Sequence, residues 1–359
     1  MSLPATVIRR DVREISAYPV PESEGYLKLD AMENPYSLPD DLQKKLALHL
    51  SQVALNRYPR PAYTALKAKI REKLGIPHGY DVVVGNGSDE LIAMLSLACA
   101  HQDRVAKVLA PAPTFVMYAV SARFAGMEYV SVPLKADFSL DMPAMLDAVK
   151  VHQPSILYLA YPNNPTGNLF SKEDMLTLVK AMENCGIVIS DEAYQPFAQT
   201  TLMEHLPEYP NLVVMRTVSK LGLAGVRLGY MSASAGLLAE FDKVRPPYNV
   251  NVLTEAAVIF ALEHLDVFDG QAAVIRAERE RVAALLAGIE GITVRPSAAN
   301  FLLFRLNDAN SVFEKLLAKK VLIRNVGKMH ILLDNYLRLT IGTPDENDQF
   351  LSILRTCLS

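Results

Sequence analysis

Thr217-Val-Ser219-Lys220-Leu-Gly222-Leu-Ala224-Gly225-Val-Arg227-Leu-Gly229-Tyr230 follows the apolar run Leu212-Val-Val-Met215. That run reads as a buried strand bounded by turn chemistry. One lysine then stands among small and apolar residues, with an arginine seven positions later. Loss of water disfavours an ammonium ion, so the Lys220 pKa should fall. Thr217, Ser219 and Arg227 look like ligands for a phosphate, which a guanidinium meets with two parallel hydrogen bonds. The plainer alternative is a surface lysine in a polar turn beside a structural arginine. Gly222, Ala224, Gly225 and Gly229 favour the first reading, because small residues let a backbone approach a ligand closely. A neutral amine in such a place is suited to trapping a carbonyl, as in a Schiff base with pyridoxal phosphate.

Working outward, the chain alternates strand, loop and helix from residue 81. Val82–Val84, Val105–Leu109, Met127–Val132, Ser155–Ala160, Ile187–Ser190, Val213–Arg216 and Leu228–Met231 read as strands. Helices are expected over 90–100, from Pro113-Thr-Phe115 to Phe124, and over 171–184. The alternation predicts an α/β fold with a mainly parallel sheet sandwiched by helices. Before it lie a Pro-rich arm, residues 1–40, and two helices over about 39–50 and 63–74. After Pro246-Pro247 come long helical patterns (251–264 and 267–290), strands at 301–304, 321–324 and 337–341, and a closing helix from Asp345. The expected division is arm 1–40, large domain 41–246 and a smaller α+β domain 247–359.

The 359 residues are half hydrophobic with a net charge of -3 and no basic block, so neither nucleic acid nor a membrane surface is expected as principal partner. Apolar runs such as Leu91–Ala100 are too short to span a bilayer. No secretory signal is visible at the N-terminus. Cys99, Cys185 and Cys357 lack metal-like spacing and read as reduced thiols of a cytoplasmic protein; no metal is expected.

Three further stretches carry chemistry. Gly85-Asn-Gly-Ser88-Asp89-Glu90 opens a helix and offers backbone N–H groups and a hydroxyl to an anion; its alternative is an ordinary helix cap at Ser88 or Asp89. Tyr161-Pro-Asn-Asn164-Pro-Thr-Gly-Asn168 places a carboxamide after a strand, or is a plain turn. Ser190-Asp191-Glu-Ala-Tyr194 puts a carboxylate at a strand's carboxyl end, where open α/β sheets bind ligands; there it would hold a pyridinium nitrogen protonated, or cap a helix.

Asn164-Pro-Thr-Gly167, Asp191-Glu-Ala-Tyr194 and Ser219-Lys220 with Arg227, in that order, resemble the fold-type I pyridoxal-phosphate aminotransferases over nearly the whole chain. The resemblance implies that Lys220 forms the Schiff base and moves the proton between substrate Cα and cofactor C4′. It implies that Asp191 pairs with the pyridine nitrogen and that Asn164 and Tyr194 bond the ring hydroxyl. Phe115 would stack on the ring, and the Ser88-Asp89 backbone, Thr217, Ser219 and Arg227 would hold the phosphate. Tyr58 would reach the cofactor of a neighbouring subunit, so the expected assembly is a homodimer.

Within that superfamily Ala17-Tyr18-Pro19, Glu33-Asn-Pro35, Asn56-Arg-Tyr-Pro59, Val321-Leu-Ile-Arg324 and Leu337-Arg338-Leu-Thr-Ile-Gly342 are most similar to the histidinol-phosphate aminotransferases. There Arg338 would bind the amino-acceptor carboxylate, with Asn164 beside it, and Arg324 with Tyr18 would bind the substrate phosphate. Strand alternation agrees, setting Arg338 opposite to Leu337, Leu339 and Ile341. The chain departs from the family in Asp30-Ala-Met, where an asparagine-rich lead-in is usual, in a Lys-to-Arg spacing one residue shorter than in many members, and in the unassigned loop 328–335. The expected reaction turns L-histidinol phosphate and 2-oxoglutarate into imidazole-acetol phosphate and glutamate, within histidine biosynthesis. The rivals are an aromatic or broad-specificity amino-acid aminotransferase, a pyridoxal-phosphate decarboxylase of a phosphorylated amino acid, and a non-catalytic cofactor-binding regulator.

Overall fold

The computed structural model describes residues 2–15, 21–101 and 103–358, so Tyr18 lies outside the described residues. Seven strands form the main sheet: β1 (Asp81–Asn86), β2 (Lys107–Ala112), β3 (Glu128–Pro133), β4 (Ile156–Ala160), β5 (Ile187–Asp191), β6 (Leu212–Thr217) and β7 (Leu228–Ala233). Their order is β1-β7-β6-β5-β4-β2-β3. The sheet is parallel except for β7, which runs antiparallel to both its neighbours. The physical reason is loop length. A parallel return needs a crossover of about a dozen residues or more, and only residues 218–227 separate β6 from β7. This short return folds Lys220 and Arg227 over the edge where the parallel strands end.

Side-chain alternation fills both faces. Val82, Val84, Leu157, Leu159, Val188, Val214 and Tyr230 enter one core. Val83, Val108, Tyr158, Ile189, Met215 and Met231 enter the other. Strands buried on both sides explain the near-continuous apolar runs of the sequence.

The expected elements recur with shifted ends, and helices Met142–His152, Ala235–Lys243 and Ala309–Ala318 escape the sequence reading, as do the short ones Leu3–Val7 and Arg10–Arg13, in an arm expected to be irregular, and Gln195–Ala198. The first carried a legible start, since Asp141 accepts from the Ala144 N–H. The expected strand 321–324 is split. Leu27–Lys28 of the arm pairs in parallel with Val321–Leu322, while Arg324–Asn325 joins the second sheet. That sheet has strands β8 (Thr293–Val294), β9 (Phe301–Arg305), β10 (Arg324–Asn325) and β11 (Tyr336–Thr340), in the order β10-β11-β9-β8. Helix Val252–Glu263 packs on helices Asp40–Ser51 and Thr64–Lys73, whereas Leu265–Ala287 packs on β8, β9 and Pro344–Leu358. Leu302, Phe304, Leu337, Leu339 and Ile341 centre the second core. Among the described residues no helix is long and apolar enough to cross a membrane.

Candidate active site

The carboxyl ends of β1, β2, β4, β5 and β6 share one edge of the sheet, and one pocket opens there. Ser88, Asp89, Phe115, Asn164, Asp191, Tyr194, Thr217, Ser219, Lys220 and Arg227 all line it, together with Met32 and Tyr118. The strand order reverses around β2, flanked by β3 and β4, which is where open α/β sheets leave a crevice.

Lys220 sits in a wide, π-helical turn over Ser219–Leu223. Gly222 makes the turn possible: its φ is +140°, and an added Cβ would stand 3.0 Å from the Asn34 amide nitrogen. Asn34 in turn donates to the Leu221 carbonyl (2.9 Å), tying the arm to the turn. Lys220 Nζ donates to the Ala31 carbonyl at 3.0 Å. Burial, and then the nearby Arg338, push the amine down from 10.5 to about 8.

Asp191 ends β5, fully within the protein. Its Oδ2 accepts from the Tyr118 hydroxyl (2.7 Å) and its Oδ1 from the Ala193 N–H (3.1 Å). Burial raises its pKa to about 6 against the lowering effect of those two bonds. Both donors are neutral, so at neutral pH the carboxylate keeps its charge for a cation placed above it. It does not cap a helix: the next one, Gln195–Ala198, has Tyr194 in that position.

Asn164 links two halves of the pocket. Its Nδ2 donates to the Tyr194 hydroxyl (3.0 Å), and its Oδ1 accepts from Arg338 Nη1 (2.6 Å). Arg338 is buried on β11, and its Nη2 donates to the Asp30 carbonyl (2.9 Å). Its guanidinium also lies 5.4 Å from the centre of the Phe301 ring. Leu337, Leu339 and Ile341 face the second core, as alternation requires.

At the other end, the helix Gly87–Cys99 is not capped by Ser88 or Asp89. The Glu90 carboxylate accepts from the Asn86 N–H at 2.6 Å instead, which leaves Ser88 and Asp89 facing the pocket. Arg227 Nη2 lies 3.4 Å from Asp89 Oδ2. A Cβ on Gly87 would meet Arg227 Nη2 at 2.7 Å, and one on Gly229 would meet the Gly87 and Ser88 backbone at 2.7 and 2.8 Å. Two glycines thus hold a helix start, a guanidinium and β7 in contact. Thr217 Oγ1 donates to Ser219 Oγ at 2.9 Å beside them.

Such a pocket carries an amine with a lowered pKa, a buried carboxylate and a guanidinium beside a helix start. The class I and II aminotransferase family profile matches residues 24–354. The chain belongs to the class I and II aminotransferases. It is 59% identical to "Histidinol-phosphate aminotransferase 2" of Cupriavidus pinatubonensis, over 99% of this chain and 98% of that one. It is 56% identical to "Histidinol-phosphate aminotransferase 1" of Burkholderia lata, over 100% and 99%. Among solved structures, the histidinol-phosphate aminotransferase of Sinorhizobium meliloti in complex with pyridoxal-5'-phosphate superposes with a TM-score of 0.86, covering 99% of each chain at 23% identity. That of Clostridium acetobutylicum gives 0.83 over 91% of this chain and 98% of its own, at 25% identity.

Two expected residues lie apart from the pocket of this aminotransferase. Tyr58 is 79% exposed and stacks on Tyr248 with ring centres 4.5 Å apart. Arg324 lines a separate hollow with Asn310, Phe313 and Lys328, yet it is paired in register with Arg338. The sequence reading missed Tyr118 and Asn34. Tyr118 stood in the Pro113–Tyr118 stretch, but nothing local shows that its hydroxyl meets a carboxylate 73 residues away.

Proposed function

We propose that this enzyme is a histidinol-phosphate aminotransferase that uses pyridoxal phosphate. It converts L-histidinol phosphate and 2-oxoglutarate into imidazole-acetol phosphate and L-glutamate, in histidine biosynthesis. The observation that carries the reading is 59% identity along essentially the full length of a relative with that name.

The donor set fits the cofactor. An aromatic phosphate with a ring nitrogen, a ring hydroxyl and an aldehyde needs a cationic cradle, a carboxylate, a hydroxyl–amide pair and an amine. The pocket offers Arg227 with the Ser88–Asp89 turn, Asp191, Tyr194 with Asn164, and Lys220, while Phe115 supplies an aromatic face. When bound, pyridoxal phosphate supplies the carbonyl that captures the substrate amine and the ring that accepts the electrons of the broken Cα–H bond.

The protein residues orient and shuttle. Lys220 Nζ, with its pKa near 8, gives up and regains a proton at the working pH, which suits transfer at the substrate Cα. Asp191 would hold the ring nitrogen and favour its protonated form. Asn164 and Tyr194 would hold the ring hydroxyl. Arg338 binds the carboxylate of glutamate or 2-oxoglutarate, pre-aimed by Asn164 and the Asp30 carbonyl. Directly opposed residues of an antiparallel pair share a face, so Arg324 lies on the Arg338 side of the sheet and binds the substrate phosphate. Tyr18 belongs to that reading as well.

We further take the protein to be a cytoplasmic homodimer, in which Tyr58 reaches the site of a second copy. Leu48, Leu55, Tyr58, Tyr248 and Leu253 are exposed apolar side chains on or beside packed helices, the kind of surface a second copy covers. An arm (1–40), a large unit (41–246) and a small unit (247–359) are part of this reading, with helix Val252–Glu263 seated on the large unit.

A half-reaction tests the function. Cofactor-loaded protein is mixed separately with L-histidinol phosphate, phenylalanine and glutamate, and the cofactor's visible band is followed. Fast loss of the band with histidinol phosphate and slow loss with phenylalanine are expected. Arg324→Ala should slow the phosphorylated substrate selectively. A preference for phenylalanine, or no visible band despite added cofactor, would overturn the reading.

A further inference from the structure

The arm meets two cations of the site with consecutive carbonyls. That of Asp30 accepts from Arg338 Nη2 (2.9 Å), and that of Ala31 accepts from Lys220 Nζ (3.0 Å). The next residue, Met32, lines the same pocket as Lys220, Asn164 and Tyr194. Both of its backbone groups are held: its N–H donates to Thr340 Oγ1 and its carbonyl accepts from the Asn300 amide, each at 3.0 Å. Thr340 and Asn300 are themselves buried. The backbone so held is left-handed, with φ +53° at Met32. A long side chain rarely takes that conformation, and it persists only where the surroundings over-determine it. The bonds to Thr340 and Asn300 supply that constraint. The Met32 side chain belongs to one apolar cluster with Tyr194 and Phe301. Those rings stand beside the same two cations: Lys220 Nζ lies 6.0 Å from the centre of the Tyr194 ring, and the Arg338 guanidinium 5.4 Å from that of Phe301.

We propose that Met32 is a specificity-determining residue: its thioether arm is an apolar wall on the Lys220–Arg338 side of the pocket, and it favours substrates carrying an aromatic ring over those carrying a second carboxylate. This inference rests on the proposed function, in which Lys220 serves the substrate amine and Arg338 the carboxylate. A substrate that reaches both lies along residues 30–32, because their carbonyls meet the two cations. The carbonyls of Asp30, Ala31 and Met32 are all engaged, so the group that Met32 turns to a ligand is its side chain. A thioether makes favourable contact with the edge of an aromatic ring. It offers a carboxylate no hydrogen bond, and a carboxylate placed against it loses water without compensation. Glutamate must still react in the other half-reaction. The unbranched, flexible arm of Met adapts to it, so the wall ranks the two substrates without excluding either.

The test uses two ligands that lack an amine and cannot react, imidazole-4-propionate and glutarate. Each has a carboxylate for Arg338, and they differ in carrying a ring or a second carboxylate. Dissociation constants are read from the change each makes in the visible band of the cofactor-loaded protein. The unaltered enzyme should bind the imidazole compound more tightly. Met32→Gln, of similar length but ending in an amide, should cut that preference roughly tenfold, the size of effect a small change in an apolar pocket has on selection. Met32→Leu stays apolar and should keep the preference within about twofold. Both variants keep a side chain at the left-handed position, so backbone strain does not separate them. Half-reactions should follow the binding: Met32→Gln slows histidinol phosphate and spares glutamate. An unchanged preference in Met32→Gln with a normal cofactor band, or an equal loss in Met32→Leu, overturns the wall. An unaltered enzyme that reacts faster with phenylalanine than with histidinol phosphate would instead remove the proposed function on which it rests.

Discussion

Replacing Asp191 with asparagine should stabilise the cofactor-free protein and cripple the loaded enzyme. In the unfolded chain this carboxyl titrates near 3.8, and in the fold burial lifts it to about 6. Between those values the folded state binds more protons than the unfolded one, so stability falls as pH rises through the window. The penalty is complete above pH 6 and absent below the unfolded value. A shift of about two units corresponds to ~3 kcal/mol at ~1.4 kcal/mol per unit. Asparagine carries no such penalty but loses one of two accepting oxygens, at a cost of ~1 kcal/mol. The cofactor-free variant should therefore be ~2 kcal/mol more stable at pH 8 and lose that advantage near pH 4. Urea unfolding at both pH values measures the difference. On the proposed function, the loaded variant would lack the charge that Asp191 offers to the ring nitrogen, and turnover should drop ~10²-fold or more. A stability difference independent of pH, or a variant turning over at the original rate, would refute the reasoning.

Two other outcomes follow from the same geometry. Acylation of Lys220 by an amine-directed reagent in the cofactor-free protein should reach half its maximal rate near pH 8, and Lys220→Ala should abolish turnover even with cofactor bound; a midpoint near the ordinary 10.5 counts against the poised amine. Gly229→Ala drives a Cβ to 2.7 Å from the Gly87 backbone, where no flexible side chain can yield. It should cost ~1–3 kcal/mol of stability and weaken cofactor binding by roughly tenfold or more. Fluorescence titration with pyridoxal phosphate reports the second effect, and unaltered affinity would take this turn out of the phosphate cradle.

The sequence by itself determined the alternating strands and helices, the turns that follow β4, β5 and β6, and the residue types held in those turns. These are local properties: burial on both faces writes apolar runs, and Gly, Pro and Asn mark the breaks. The helix Met142–His152 escaped because only Met145, Ala148 and Val149 are buried in it, too short a pattern to stand out. Which strands are neighbours is not local, and the working contacts depend on it. Tyr118 reaches Asp191 across 73 residues, Arg338 reaches Asn164 across 174 and Lys220 reaches Ala31 across 189. The opposition of Arg324 and Arg338 depends on a two-residue strand and its register. A slip of one residue would turn one arginine to the other face. Sequence periodicity says which side chains leave a strand together. Only the folded sheet decides what they meet.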